Sequence, residues 1–180
     1  MKIARKHKIE KVCSDDKLRY AINNVKAYKH RLVATNGHAM AVIPYKKANI
    51  DIPEEEFTGL IPPEVFNEAR KVNKKFERDD MIIEHNGKLT VKDYSTGTEK
   101  SFNYIDEPYP DVVRVIPRRK TEYKISLNAK LLYELSQALG CDGVILEFTG
   151  KTSGIIVKPH ENSLCTEDNH AWGILMPKTI

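Results

Sequence analysis

The stretch Glu107-Pro108-Tyr109-Pro110-Asp111-Val112-Val113-Arg114-Val115-Ile116-Pro117 constrains the chain more than any other. Three prolines bracket it, and proline removes a backbone donor and restricts the residue before it. The sequence therefore predicts an extended run, not a helix. To its left, Pro62-Pro63 opens a helical pattern that runs into strand-like segments; to its right, Asn128 does the same. The stretch reads as a connector between copies of one unit, a helix followed by a β-meander. With Arg114 and its valines, it can also form one wall of whatever lies between them.

Charge sharpens the reading. The net charge of +4 is unevenly spread: residues 1–50 hold 12 Lys/Arg against 3 Asp/Glu, 51–120 hold 12 against 15, and 121–180 hold 5 against 7. A basic first third suggests a polyanionic partner at that end; a solvated lysine-rich face is the plainer alternative. No apolar run approaches the length of roughly 20 residues that a membrane helix needs, so no membrane partner is expected. Cys13, Cys141 and Cys165 are odd in number and unpatterned in spacing, which reads as reduced thiols of a cytoplasmic protein.

In chain order, Ile9, Val12 and Cys13 fall at i, i+3, i+4, one face of a short helix, with Lys2, Arg5, Lys6, Lys8 and Lys11 on the rest. Leu18 to Val25, Arg31 to Thr35 and His38 to Tyr45 are strand-like, with Asn36-Gly37 as a two-residue hairpin turn. A polar loop covers 46–56. Val65, Phe66, Ala69, Val72 and Phe76 give the Pro62-Pro63 helix its apolar stripe. Arg70, Lys71, Lys74, Lys75 and Arg78 crowd its second half, more charge than the negative helix end requires.

Met81 to His85, Lys88 to Tyr94 and Lys100 to Tyr104 follow as strands, turning at Asn86-Gly87 and around Gly97. Tyr123 to Leu127 is predicted as a strand. Asn128 then caps a helix whose buried face is Leu131, Leu132, Leu135, Ala138 and Leu139, stopped by Gly140. Val144 to Phe148, Gly154 to Lys158 and Ala171 to Met176 close the chain, with 159–170 a polar loop and Trp172 in the core. Two helix-plus-meander units thus follow a third, weaker one.

Catalytic signatures are lacking: there is no Gly-rich phosphate loop, Gly-x-Ser-x-Gly elbow or His-Glu-x-x-His. His160, Cys165 and His170 recur every five residues, but zinc sites usually take four ligands in tight pairs, so a plain loop is preferred. His38 has no implied nucleophile or carboxylate partner and reads as a hairpin or pocket-lining residue. No enzyme, metal or cofactor is expected.

Three motifs carry a family resemblance. Leu32-Val33-Ala34-Thr35-Asn36-Gly37-His38-Ala39-Met40-Ala41-Val42 resembles the Ala-Thr-Asp-Gly-His-Arg-Leu-Ala hairpin of the bacterial DNA polymerase III β subunit, the sliding clamp. Tyr109 to Pro117 resembles that family's Phe-Pro-Asp-Tyr-x-Arg-Val-Leu-Pro connector. Ile174-Leu175-Met176-Pro177-Lys178-Thr179-Ile180 is similar to its C-terminal Val-Val-Met-Pro-Met-Arg-Leu. Asp16 to Val25 and Leu60 to Pro63 are weaker matches. All fall in the family's order across nearly the whole chain.

The resemblance implies an α+β DNA-clamp fold of helix-plus-β-meander repeats, about one and a half clamp domains. Residues 1–106 would be a two-half-repeat domain, 107–120 the connector and 121–180 the second half of a further domain; the strand before the first helix would be missing. It implies a sliding-clamp-like replication or repair processivity factor that binds duplex DNA without regard to sequence. Polymerase or clamp-loader peptide motifs would bind at Thr35, Gly37, His38, Met40, Pro110, Arg114, Val115, Ile174, Met176 and Pro177. Ala39 replaces the family's arginine and Asn36 its aspartate. For DNA, the candidates are Lys2, Arg5, Lys6, Lys8, Arg70, Lys71, Lys74 and Lys75; helix 128–139 offers only Lys130. A head-to-tail homo-oligomeric ring is one implied assembly. An adaptor or decoy that captures clamp-binding peptides, or pairs with a full-length clamp, without encircling DNA, is the alternative.

Overall fold

A computed structural model describes residues 1–28, 30–46, 57–74, 79–117, 124–150, 152–160 and 171–178. The chain divides into two compact units, Met1–Ile116 and Pro117–Ile180. Both mix short helices with antiparallel sheets, the expected α+β class.

Unit 1 contains two half-repeats. The first runs β1 (Lys2–Ala4), 3-10 turns at Ile9–Val12 and Tyr20–Asn23, then the meander β2 (Val25–Tyr28), β3 (Arg31–Thr35) and β4 (Met40–Pro44). The second runs β5 (Leu60–Ile61), α1 (Pro63–Lys71), β6 (Asp80–Ile82), β7 (Glu84–His85), β8 (Leu89–Asp93) and β9 (Thr98–Phe102). The halves exchange their leading strands: β1 pairs with β6, and β5 pairs with β2, both antiparallel. Each leading strand also bridges the residue just past its own meander, Lys2 to Lys46 and Leu60 to Ile105. One apolar core fills the space between, built on Phe66, Ile3, Ile61, Met81, Ile83 and Leu89, none of them exposed.

Several expectations are corrected here. The strand thought missing before the first helix is present as Lys2–Ala4, so Lys2 and its neighbours do not share a helix face. Only Ile9–Val12 turns, as a 3-10 segment with Ile9 buried and Val12 and Cys13 packed against the core. The strand read from Leu18 begins at Val25. The Asp16 carboxylate accepts the Leu18 N–H at 2.9 Å, and the Asn24 amide donates to the Tyr20 carbonyl at 2.9 Å; such side-chain bonds divert backbone from a ladder.

α1 stops at Lys71, short of the predicted Phe76, which lies outside the described residues with Lys75 and Arg78. Val72 is extended and Asn73 left-handed at φ 55°. The Asn73 amide donates to the Lys92 carbonyl at 2.5 Å and its oxygen accepts the Tyr94 N–H at 2.8 Å. These tertiary bonds to β8 outcompete another helical turn.

The connector is not extended throughout. Val112–Val115 forms a 3-10 turn because the Asp111 carboxylate caps the Val113 N–H at 3.2 Å and no proline falls between 111 and 116. Pro117 restores extension at Ile116.

Unit 2 is a single half-repeat: α2 (Ala129–Ala138), then β10 (Val144–Glu147), β11 (Ile155–Pro159) and β12 (Gly173–Leu175). Asn128 caps α2 by accepting the Lys130 N–H at 3.1 Å, and Gly140 follows its end at φ 66°. Ser126 bridges Lys178, repeating the pattern of Lys2 and Leu60. The predicted strand is reduced to this bridge, and Tyr123 lies outside the described residues. The expected buried face of α2 is not buried: Leu131 is 48% exposed, and Leu132, Leu135 and Leu139 are only half-buried. Trp172, expected in the core, is 60% exposed: it directly precedes β12 and alternates with Gly173, which packs on Leu135 of α2. The exposure of α2 has its own cause: among the described residues of unit 2 no second half-repeat covers that helix.

Candidate functional site

An apolar groove of about 690 Å³ opens on unit 1 where three segments meet: the β3–β4 hairpin, the segment Leu18–Ile22 and the connector. The hairpin is a four-residue loop instead of the expected two-residue turn. Thr35 and Met40 are its last ladder pair, and only Gly37 takes a positive φ, +90°. Asn36 organises the loop through its side chain, accepting from the N–H groups of His38 at 2.9 Å and Ala39 at 2.8 Å. The Thr35 hydroxyl donates to the Ala39 carbonyl at 2.7 Å and accepts the Gly37 N–H at 3.1 Å. A β-carbon on Gly37 would lie 3.1 Å from the Arg19 guanidinium, so glycine lets that cation lie across the loop.

Of the sequence-selected residues, Thr35, Gly37, His38, Met40, Pro110 and Val115 line this groove. Arg114 does not; its side chain is 83% exposed and holds Asp111 at 2.9 Å. Ile174, Met176 and Pro177 belong to unit 2, where Ile174 on β12 and Met176 just past it are 56% and 62% exposed. Sequence reasoning missed Leu18, Tyr20 and Ile22, which supply much of the apolar wall. Leu18 is 94% exposed and Tyr20 57%, costly exposures for large apolar groups. The signal was present in the resemblance of Asp16 to Val25; reading that segment as a strand hid it.

Three titratable groups close to the hairpin and connector are held neutral. Burial raises the Tyr109 phenol, with Cys13 as a further neighbour, and burial raises Tyr28 with help from Asp111. Burial and the Glu10 carboxylate push the Cys13 thiol to about 12. All three are uncharged at neutral pH, and the charged residues that line the groove are Arg19, Glu107 and Asp111. Apolar walls with polar groups at the edge suit an extended peptide with large apolar anchors.

The basic candidates divide into two groups. Arg5 and Arg70 interlock the N-terminal turn with α1. Arg5 donates to the carbonyls of Ala69, Arg70 and Val72 at 3.2, 2.8 and 2.8 Å, satisfying the open C-terminal end of the helix. Arg70 donates to the carbonyls of Arg5 and His7 at 2.7 and 3.1 Å and pairs with Glu10 at 2.6 Å. Lys2 pairs with Asp80 at 3.6 Å and Lys71 with Glu68 at 2.7 Å. Lys6, Lys8 and Lys74 are exposed and make no ion pair among the described residues. The interlock draws the turn carrying Lys6 and Lys8 against the end of α1, which carries Lys71 and is followed by Lys74. Lys75 lies outside the described residues, and Lys130 pairs with Glu134 at 3.5 Å.

Among the described residues no cluster of three His, Cys, Asp or Glu could hold a metal ion; Cys165 and His170 lie outside them. No described helix is long and apolar enough to cross a membrane.

Two half-repeats with exchanged leading strands, followed by a third, define a DNA-clamp fold, and the solved structures agree. The chain is similar to the DNA polymerase sliding clamp of Pseudomonas aeruginosa over 99% of its length and 51% of that chain, with TM-score 0.67 and 16% identity. For the β subunit of Streptococcus pyogenes DNA polymerase the values are 99%, 50%, 0.67 and 15%; for the Bacillus subtilis sliding clamp, 98%, 48%, 0.65 and 17%. The chain spans about half the length of these clamps. No protein-family model matches the sequence, and no curated protein does.

Proposed function

We propose that the chain is a non-catalytic, clamp-like processivity element of DNA replication or repair. Its groove takes an extended peptide with a Gln-Leu-x-Leu-Phe-like motif, from a polymerase or clamp loader, and its basic edge takes duplex DNA without reading sequence. The observation that carries this reading is the convergence of hairpin and connector positions on one apolar groove, on a clamp fold. Lys6, Lys8, Lys71 and Lys74 serve the phosphates, because Arg5 and Arg70 are committed to internal carbonyls.

Titration of a fluorescent peptide bearing that motif tests the groove. Met40→Asp places a charge in an apolar wall and should weaken binding by about tenfold or more; unchanged affinity removes the peptide reading. Duplex affinity should be indifferent to sequence and fall steeply with salt. Replacing Lys6, Lys8, Lys71 and Lys74 should flatten the slope of log K against log salt by about one unit for each phosphate no longer neutralised. Peptide binding with no duplex binding at low salt replaces this reading with the peptide-capturing adaptor.

A further inference from the structure

Unit 1 shows how a half-repeat of this chain is completed. Each leading strand pairs on both sides: β1 with Lys46 and with β6, β5 with Ile105 and with β2. Among the described residues, the third leading segment makes only the first kind of pairing, Ser126 with Lys178. β10, the counterpart of β2 and β6, is an edge strand in the order β10-β11-β12. Unit 2 therefore carries, among the described residues, both members of an exchange pair with neither partner. An open edge next to a small core is a site for pairing, and among the described residues of this unit only Cys141, Ile155, Val157 and Leu175 are buried hydrophobics. A core of that size seldom holds a domain alone.

We propose that a second copy of this chain supplies the missing half: two copies of unit 2 pair about a twofold axis, residues 124–127 of each lying antiparallel on β10 of the other. Both open members are filled at once, as an isologous contact requires. The register follows from unit 1. There the first inward-facing residue of the meander strand, Val25 or Met81, faces the second residue of the leading strand, Ile61 or Ile3. The same rule sets Val144 against Leu127, Ile145 against Ser126, and Glu147 against Lys124. Opposite charges then lie directly across the ladder, twice per dimer, and directly opposed pairs of this kind favour one register. The exposed flank of α2, Leu131 and Ala138, gains a neighbour where α1 has the Ile9–Val12 turn, and the helix brings balanced charge, Lys130 and Glu134.

The full chain at micromolar concentration should sediment with the mass of two chains. Lys124→Glu, on an exposed side chain, should weaken the dimer about tenfold or more. Glu147→Lys should do the same, and the double reversal should restore it; circular dichroism checks the Glu147 variant, whose native partner is Lys158 at 2.8 Å. The Ser126→Cys/Ile145→Cys pair should form a covalent dimer under mild oxidation that the wild-type chain, treated alike, does not. A monomer at this concentration overturns the proposal. So does a larger or dimeric mass that ignores both charge reversals and is not trapped by the cysteine pair.

Discussion

α1 and α2 are helices of nearly equal length, nine and ten residues, and their environments differ completely. α1 buries Val65, Phe66 and Ala69, whereas α2 buries no residue. Sequence does not explain the contrast, since α2 has the more regular leucine stripe. The difference is the neighbour. α1 shares a core with the other half-repeat, whose Ile3 and Ile9 close over it, while unit 2 holds one half-repeat. A helix–meander unit of this kind makes a surface, and two make a core.

That contrast can be broken most directly in unit 1. Phe66→Ala should cost about 3–5 kcal/mol and shift the denaturant midpoint of the whole unit. Ile155→Ala, at a fully buried position of unit 2, should leave that midpoint in place, and a common shift would mean the two units unfold together. Next in size is the interlock. Arg70→Ala strands Glu10, whose side chain is 7% exposed, together with the carbonyls of Arg5 and His7. About 2–4 kcal/mol should be lost, again in the unit 1 transition.

Asn128→Ala removes the cap of α2 and should cost about 1 kcal/mol. Hydrogen exchange should register it as faster exchange confined to unit 2. The smallest effect is electrostatic. Hydrogen bonds from Lys100 and Lys71 hold the Glu68 carboxylate at about 2, below its ordinary value. A depressed folded-state value means the stabilisation is complete above the unfolded carboxylate range and fades as pH falls toward about 2. Glu68→Gln should lower stability slightly near neutrality and converge on the wild type as pH falls toward about 2, which flattens the acid limb of the stability curve.

The sequence alone determined whatever rests on local chemistry. Asn128 as a cap, Gly87, Gly97 and Gly140 at positive φ, and Arg31–Thr35 as a strand depend on groups within a few residues of each other. The hairpin and connector halves of the groove were legible for the same reason, as short motifs in a known order. Only the tertiary structure decided which strands exchange, because a three-residue strand such as Lys2–Ala4 is defined by β6, some 80 residues away. It also decided that Arg5 and Arg70 are ties, a role invisible until helix end and turn meet. Leu18 and Tyr20 became groove wall, and Leu131 and Trp172 stayed outside the core, for one reason: periodicity marks a side chain as apolar, and the facing surface determines whether it is covered.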